Sequence, residues 1–271
     1  MRRPSSMRRR RTMEWAMRTP SIPLHRCVLL ATLAFSGCDS DEPVTDEDRL
    51  LAIAEHDGLD VSEAEYDGEY LYIGDMAYGP HHLPEYAAIA SGSSDRAFLF
   101  NENSRVIDLG FRDICFEIDD SGDDSAEDWI GTFNTVTSDL NALGTTIDVV
   151  NRRKSVGCPG GREIIKVSTA NYSGNTLGKA DIPSENIING NTHPGNWIKL
   201  DRGRAPSLRV ASHETLHALG FAHVDDTGND WVSGTCASAL ACTGLTIMFS
   251  SGPADQVGFL SDDEDALQTV Y

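Results

Sequence analysis

The stretch His213-Glu214-Thr215-Leu216-His217-Ala218-Leu219-Gly220-Phe221-Ala222-His223 constrains the fold more than any other part of the chain. It reads H-E-x-x-H-x-x-G-x-x-H. Histidines four apart lie one above the other on a single helix face, so His213 and His217 call for a helix and can share one metal ion. Glu214 sits about 100° round that helix, within reach of a water on the metal without being a ligand. Gly220 follows the last turn, where a glycine can adopt the left-handed conformation that stops a helix. The chain then turns back and brings His223 in as a third ligand. Three protein ligands leave one tetrahedral position for water, the pattern of a catalytic zinc site. The competing account is an amphipathic surface helix with three solvated histidines. It has to explain five matched positions out of eleven in a chain with eight histidines.

Met248 follows His223 by 25 residues, within Thr246-Ile247-Met248-Phe249. With this methionine the layout resembles the metzincin zinc metalloendopeptidases, which carry a methionine turn beneath the zinc. It is most similar to the bacterial secreted dual-action HEIGH-type metallopeptidases. The chain departs from that name at its two variable positions, with His-Glu-Thr-Leu-His. The resemblance covers residues 96–271, and its specific motifs lie between His213 and Met248. It implies an α+β fold: a mixed twisted sheet with a long helix and the zinc helix in an upper lobe, and a small irregular lower lobe holding the methionine turn and a C-terminal helix. It implies His213, His217 and His223 as ligands of one Zn2+, Glu214 as the catalytic base, and Met248 as packing under the metal. Astacin-like members place a tyrosine two residues after the methionine. Ser250 stands there, so a tyrosine ligand is not expected.

The function expected from this resemblance is a secreted or lipid-anchored zinc endopeptidase acting on protein or peptide substrates. Zinc lowers the pKa of its water to about 7 and polarises the peptide carbonyl. Glu214 would take the proton and pass it to the leaving nitrogen. The alternative is a catalytically silent zinc-containing extracellular binding or structural protein. A degenerate relative would lose Glu214 first, and a structural site would show a fourth ligand. Glu214 is present, and no fourth ligand is visible in the sequence.

Charge and cysteines bound the setting. Residues 1–37 hold eight Arg and one Glu, and the remainder carries 14 basic against 41 acidic residues, a balance of −27. Such a surface repels nucleic acid and anionic membranes. The Arg-rich start precedes the apolar run Cys27–Phe35 and the small residues Ser36 and Gly37, a secretory signal peptide too short to span a membrane. Leu33-Ala34-Phe35-Ser36-Gly37-Cys38 resembles a bacterial lipobox, so lipid on Cys38 is expected to be the only membrane attachment. Ordinary signal cleavage near Gly37 is the alternative. The expected location is exported: extracellular, or a periplasmic or outer-membrane lipoprotein. Four cysteines remain and allow three connectivities, of which we expect Cys236–Cys242, closing a small loop, and Cys115–Cys158.

Residues 38–95 form an acidic linker and candidate propeptide ahead of a metallopeptidase domain at 96–271. Asp46 to Glu55 reads as a short helix and Glu69 to Asp75 as a strand. By resemblance, a metzincin propeptide silences zinc by offering a cysteine or an aspartate in place of water. Cysteine is absent after Cys38 in this segment, so Asp67 or Asp75 would serve. A solvated lead-in folded on the domain surface is the alternative. Cleavage near Ala90–Ser94 would release such a propeptide.

Within the domain, Ile114–Ile118 reads as a strand. Asp119–Asp128 is an acidic loop without EF-hand spacing, where Ca2+ is the remaining cofactor considered. Ser125–Leu143 reads as a helix capped by Ser125. Trp129, Phe133, Val136, Leu140 and Leu143 follow at steps of four and three, forming one apolar stripe. Gly144 ends it. Strands are expected at Thr145–Val150, Glu163–Val167, Leu177–Pro183 and Trp197–Leu200, with Leu177–Pro183 at the edge because of its proline. Pro206 would open the zinc helix. By resemblance, Gly178–Ile182 borders the cleft and pairs with extended substrate, and Gly252–Gly258 lines a substrate pocket. Asp225, Asp226 and Asp230 are either partners of the histidines or solubilising loop residues. Ser261–Tyr271 reads as a helix capped by Ser261 with Glu264 three residues on.

Overall fold

Burial alternates along residues 163–170, so that one face of this strand is covered, and the computed structural model builds its core on that face. Ile165 and Val167 are fully buried, whereas Ile164 is 42 % exposed. The structure describes residues 43–91, 113–186, 191–223, 246–248 and 257–271. Contacts divide the chain into Met1–Pro43 and Val44–Tyr271, and the fold concerns the second unit. The segment expected to be a signal peptide, residues 1–37, lies outside the described residues, as does Cys38. Among the described residues, no helix is long and apolar enough to cross a membrane.

The fold is α+β around one eight-stranded mixed sheet. Its strands are β1 Glu65–Tyr66, β2 Leu71–Ile73, β3 Met76–Tyr78, β4 Asp113–Ile118, β5 Asp148–Arg153, β6 Glu163–Ala170, β7 Gly178–Asp181 and β10 Trp197–Asp201. They lie in the order β1-β2-β3-β7-β10-β6-β4-β5. Parallel pairing joins β5, β4, β6 and β10, and β7 then runs antiparallel to β10. A separate hairpin pairs β8 Ser184–Asn186 with β9 Asn191–His193.

Two helices cover the buried face: α3, Ile130–Ala142, and α4, Leu208–Ala218. Phe133, Val136 and Leu140 are fully buried against Ile114, Phe116, Val149 and Ile165, with the Phe116 and Phe133 rings 5.2 Å apart. Burying each such side chain contributes about 1.5–3 kcal/mol. The last helix, α5 Ser261–Val270, adds Ala266 and Leu267, and the Tyr271 hydroxyl donates to the Leu219 carbonyl at 2.5 Å. Cys115 and Cys158 are disulfide-bonded, tying β4 to the turn after β5. Cys236 and Cys242 lie outside the described residues.

Several element ends differ from the sequence expectation for physical reasons. The helix expected from Ser125 begins as a 3-10 turn at Glu127–Trp129, with Ser125 Oγ accepting the Glu127 amide at 3.3 Å. Thr145 and Thr146 do not join β5, and Thr146 is tied to the carbonyl of Tyr271. Pro206 does not open α4. Ser207 caps it, accepting the Val210 amide at 3.3 Å, and leaves the proline one residue outside. Ser261 is the first residue of α5 and not its cap, and Asp263 reaches back to the Leu260 amide at 2.8 Å. Three carboxylates of the acidic loop are engaged by protein groups: Asp119 by Lys154, Asp120 by Ser155 and Asp124 by Arg202. That arrangement is unlike a calcium cage.

The N-terminal part of this unit carries its own small core. Thr45 caps α1, Asp46–His56, through the Asp48 amide at 3.1 Å. Strands β2 and β3 form a hairpin, a 3-10 turn follows at Pro80–His82, and α2 spans Leu83–Ala90. Leu50, Ile53, Leu71, Met76 and Tyr78 pack together, joined from beyond the segment only by Ile182 and Ala222 among its buried members. Residues 65–78 thus extend the same sheet that residues 113–201 begin.

Candidate metal centre

Helix α4 positions the motif, and its residues from Val210 to Ala218 are all buried. His213, Glu214 and His217 are 8 %, 2 % and 0 % exposed. The chain leaves the helix through Gly220, whose φ of +100° suits glycine and reverses the path. Phe221 then accepts from His217 Nδ1 at 2.6 Å, and His223 returns to the other two histidines. His213 Nδ1 donates to the Ile247 carbonyl at 2.9 Å. Both helical imidazoles therefore commit their Nδ1 hydrogens to backbone and turn an Nε2 lone pair inward.

The three Nε2 atoms form a triangle with sides of 3.1, 3.1 and 3.2 Å. A tetrahedral ion with bonds of about 2.0–2.1 Å needs its nitrogens roughly 3.3 Å apart. Three lone pairs aimed at one point repel each other unless a cation sits there, so the donor set fits one divalent metal ion. Burial lowers the pKa of His217 to about 4 against the opposing pull of Asp75, which keeps it in the neutral, ligating form.

Asp75 closes the triangle from the opposite side. Its carboxylate oxygens lie 3.2 Å from His213 Nε2, 3.2 Å from His217 Nε2 and 3.0 Å from His223 Nε2. Asp75 occupies the turn between β2 and β3, so the hairpin delivers it. Asp67, the other sequence candidate, is spent locally and accepts the amides of Glu69 and Tyr70 and the Tyr72 hydroxyl. The group of Asp75, His213, His217 and His223 is one of two among the described residues with metal-ligand geometry.

Glu214 lies beside this group with its Oε2 lacking a hydrogen-bond partner. Burial raises its carboxyl well above the usual carboxylate range, and the negative charge of Asp75 raises it further. The side chain fits only because β7 begins with a glycine. A Cβ on Gly178 would meet Glu214 Oε1 at 2.5 Å and its Cδ at 2.8 Å. The contact between Gly178 and Glu214 was not visible in the sequence, since 36 residues separate them.

Met248 is buried (3 %) in the segment Thr246–Met248, as expected of packing near the centre. Asp263, which the sequence reading passed over, holds that segment. It accepts the Thr246 hydroxyl and the Ile247 amide, the latter at 3.1 Å. Because the Ile247 carbonyl accepts from His213, Asp263 orients that imidazole through one peptide unit. Ser250, Asp225, Asp226, Asp230 and Gly252 lie outside the described residues.

The edge of β7 is not free. Strand β3 pairs with it in parallel, Met76 opposite Ala180 and Ala77 opposite Asp181. Lys179 Nζ lies 3.8 Å over the Tyr72 ring, and Lys199 Nζ lies 4.4 Å over Trp197, which meets Tyr70 edge-on at 5.4 Å. These contacts hold the hairpin from the outer face of the sheet. Compared with known families and curated proteins, the chain matches no family model and no curated protein.

Proposed function

We propose that the chain is the latent form of a zinc-dependent endopeptidase of metzincin type, and that Asp75 silences it. The observation that carries this reading is the convergence of three Nε2 atoms, 3.1–3.2 Å apart, beside a buried carboxyl on the same helix. His213, His217 and His223 would hold the ion, which when bound supplies Lewis acidity toward the peptide carbonyl and an acidified water. Glu214 acts as the general base, taking the proton from the attacking water and returning it to the leaving nitrogen. Strand β7 offers backbone groups to an extended peptide once β3 has left it. Met248 and Asp263 set the floor beneath His213.

Asp75 acts on this machinery twice. Its carboxylate stands where water must enter, and its charge helps to keep Glu214 protonated, the wrong state for a base. The same contact favours a second reading, in which Asp75 is a permanent fourth ligand and the metal only stabilises an extracellular structural or binding protein.

One experiment separates them. Purified protein is assayed on a denatured generic protein substrate as wild type, Asp75→Ala and Asp75→Ala/Glu214→Ala, with zinc content measured for each. Little cleavage by wild type, cleavage by Asp75→Ala, and loss of it in the double variant with zinc retained support a latent peptidase. Zinc-loaded Asp75→Ala protein that cleaves nothing sinks the peptidase reading and leaves the structural one.

A further inference from the structure

A second cluster of ligating side chains lies at the other end of β7. After β3 the 3-10 turn at Pro80–His82 delivers two adjacent histidines against Asp181, the last residue of that strand. Asp181 is completely buried, His82 is 1 % exposed, and the His81 side chain is 26 % exposed. The two imidazole rings lie 4.0 Å apart.

The hydrogen bonding of this cluster is incomplete. Asp181 Oδ2 accepts the Asn196 amide at 2.7 Å, but its buried Oδ1 has no hydrogen-bond partner. His81 Nε2 approaches Asp181 Oδ2 at 3.1 Å, yet it too lacks an aligned hydrogen bond. Two orphaned atoms at one place, each able to offer a lone pair, are unusual, because buried polar groups are normally paired. His82 Nδ1 lies 3.2 Å from the Gly79 carbonyl and 3.0 Å from the Gly79 amide, and its Nε2 lies 3.3 Å from the Pro183 carbonyl. The Gly79 amide donates to Nδ1, which places the ring hydrogen on Nε2 toward the Pro183 carbonyl; in the other tautomer Nδ1–H turns to the Gly79 carbonyl and Nε2 keeps a lone pair. Ligand atoms of His81, His82 and Asp181 all lie within 4.8 Å of one another.

We propose that His81, His82 and Asp181 form a second metal site for a zinc-class divalent ion. Two imidazoles and one carboxylate suit Zn2+ and its first-row neighbours, whereas Ca2+ and Mg2+ prefer all-oxygen shells. A cation there satisfies Asp181 Oδ1 and His81 Nε2 together and selects the ligating tautomer of His82. The partly exposed His81 gives the ion its way in. The site staples the N-terminal hairpin to β7, because two ligands come from the segment before residue 91 and the third from the strand it covers. It goes beyond the proposed function and does not depend on it.

The test counts metal. Full-length chain without its signal peptide is stripped with a chelator, dialysed against Zn2+ and analysed for ions per chain. Wild type, His81→Ala, Asp181→Asn and His217→Ala are compared, with circular dichroism to confirm folding. Two ions in wild type, and one in each variant, are expected. One ion in wild type that persists in His81→Ala and disappears in His217→Ala overturns the second site while the first stands. Two ions in both wild type and His81→Ala overturn it as well. Loss of an ion in His81→Ala but not in His217→Ala supports the second site and defeats the first. Should Asp181→Asn fail to fold, His81→Ala decides, since its side chain is partly solvated and outside both cores.

Discussion

Gly178 shows how tightly single residues define the centre. A methyl group there would overlap the Glu214 carboxyl at 2.5–2.8 Å, so Gly178→Ala must push the glutamate aside. In the Asp75→Ala background we expect about a 10²-fold loss of cleavage, typical of a 1 Å misplacement, with zinc content unchanged. Steady-state assays beside metal analysis check this. Glu214 itself costs stability when charged. Its carboxyl is raised by burial and by Asp75, and a raised carboxyl stabilises a fold only while protonated. That contribution is full below the unfolded-chain value and is lost as pH rises through the folded one. Metal-free Glu214→Gln should therefore melt several degrees above wild type at neutral pH and level with it in acid below the ordinary carboxylate range. Equal differences at both pH values, seen by calorimetry, would refute the assignment. The proposed ligands His213 and His217 and the proposed base Glu214 were legible because sharing one ion demands fixed spacings along a helix, and His223 because a helix-stopping glycine precedes it. Asp75 was narrowed to two candidates by residue type alone. Only the local amide bonds of Asp67 choose between them, and those depend on the turn.

Among the elements, α3 was legible because its apolar stripe repeats with the helical period, while its 3-10 first turn leaves no such signature. The strand β3 was missed for the opposite reason. Met76, Ala77 and Tyr78 are all buried, so the strand shows no alternation to read. The Cys115–Cys158 bond was anticipated, and it spans a separation of 43 residues. Closing a loop of that length restricts the unfolded chain by about 4 kcal/mol. Replacing both cysteines by alanine should lower Tm by roughly 8–16 °C for a domain of this size. A drop of only a degree or two would show that the bridge constrains little, and calorimetry reads it directly.

The whole unit is one sheet with two cores. Residues 113–271 build the larger core, and residues 44–90 build the smaller one; the N-terminal part meets the rest along the β3–β7 strand pair, at the buried residues Ile182 and Ala222, and through the side chains of Tyr70, Tyr72, Asp75, His81 and His82. A boundary between residues 38–95 and 96–271 was expected from the sequence, but the joining of β3 to β7 was not, since it is a long-range choice that composition does not encode. The construction suits a detachable piece. Limited proteolysis between residues 91 and 113 should leave both fragments folded and associated, as shown by gel filtration in native buffer. Fragments that unfold on cleavage would show that the two cores form one cooperative unit.

The parallel pairing of β3 with β7 has a kinetic meaning as well. While the chain is intact, the hairpin competes for the edge strand at an effective concentration fixed by its tether, whatever the amount of protein. Once the chain is cut, the same hairpin becomes an ordinary dissociable ligand, and simple mass action governs its release. Uncut protein should stay silent at every dilution, whereas cut protein should gain specific activity as it is diluted.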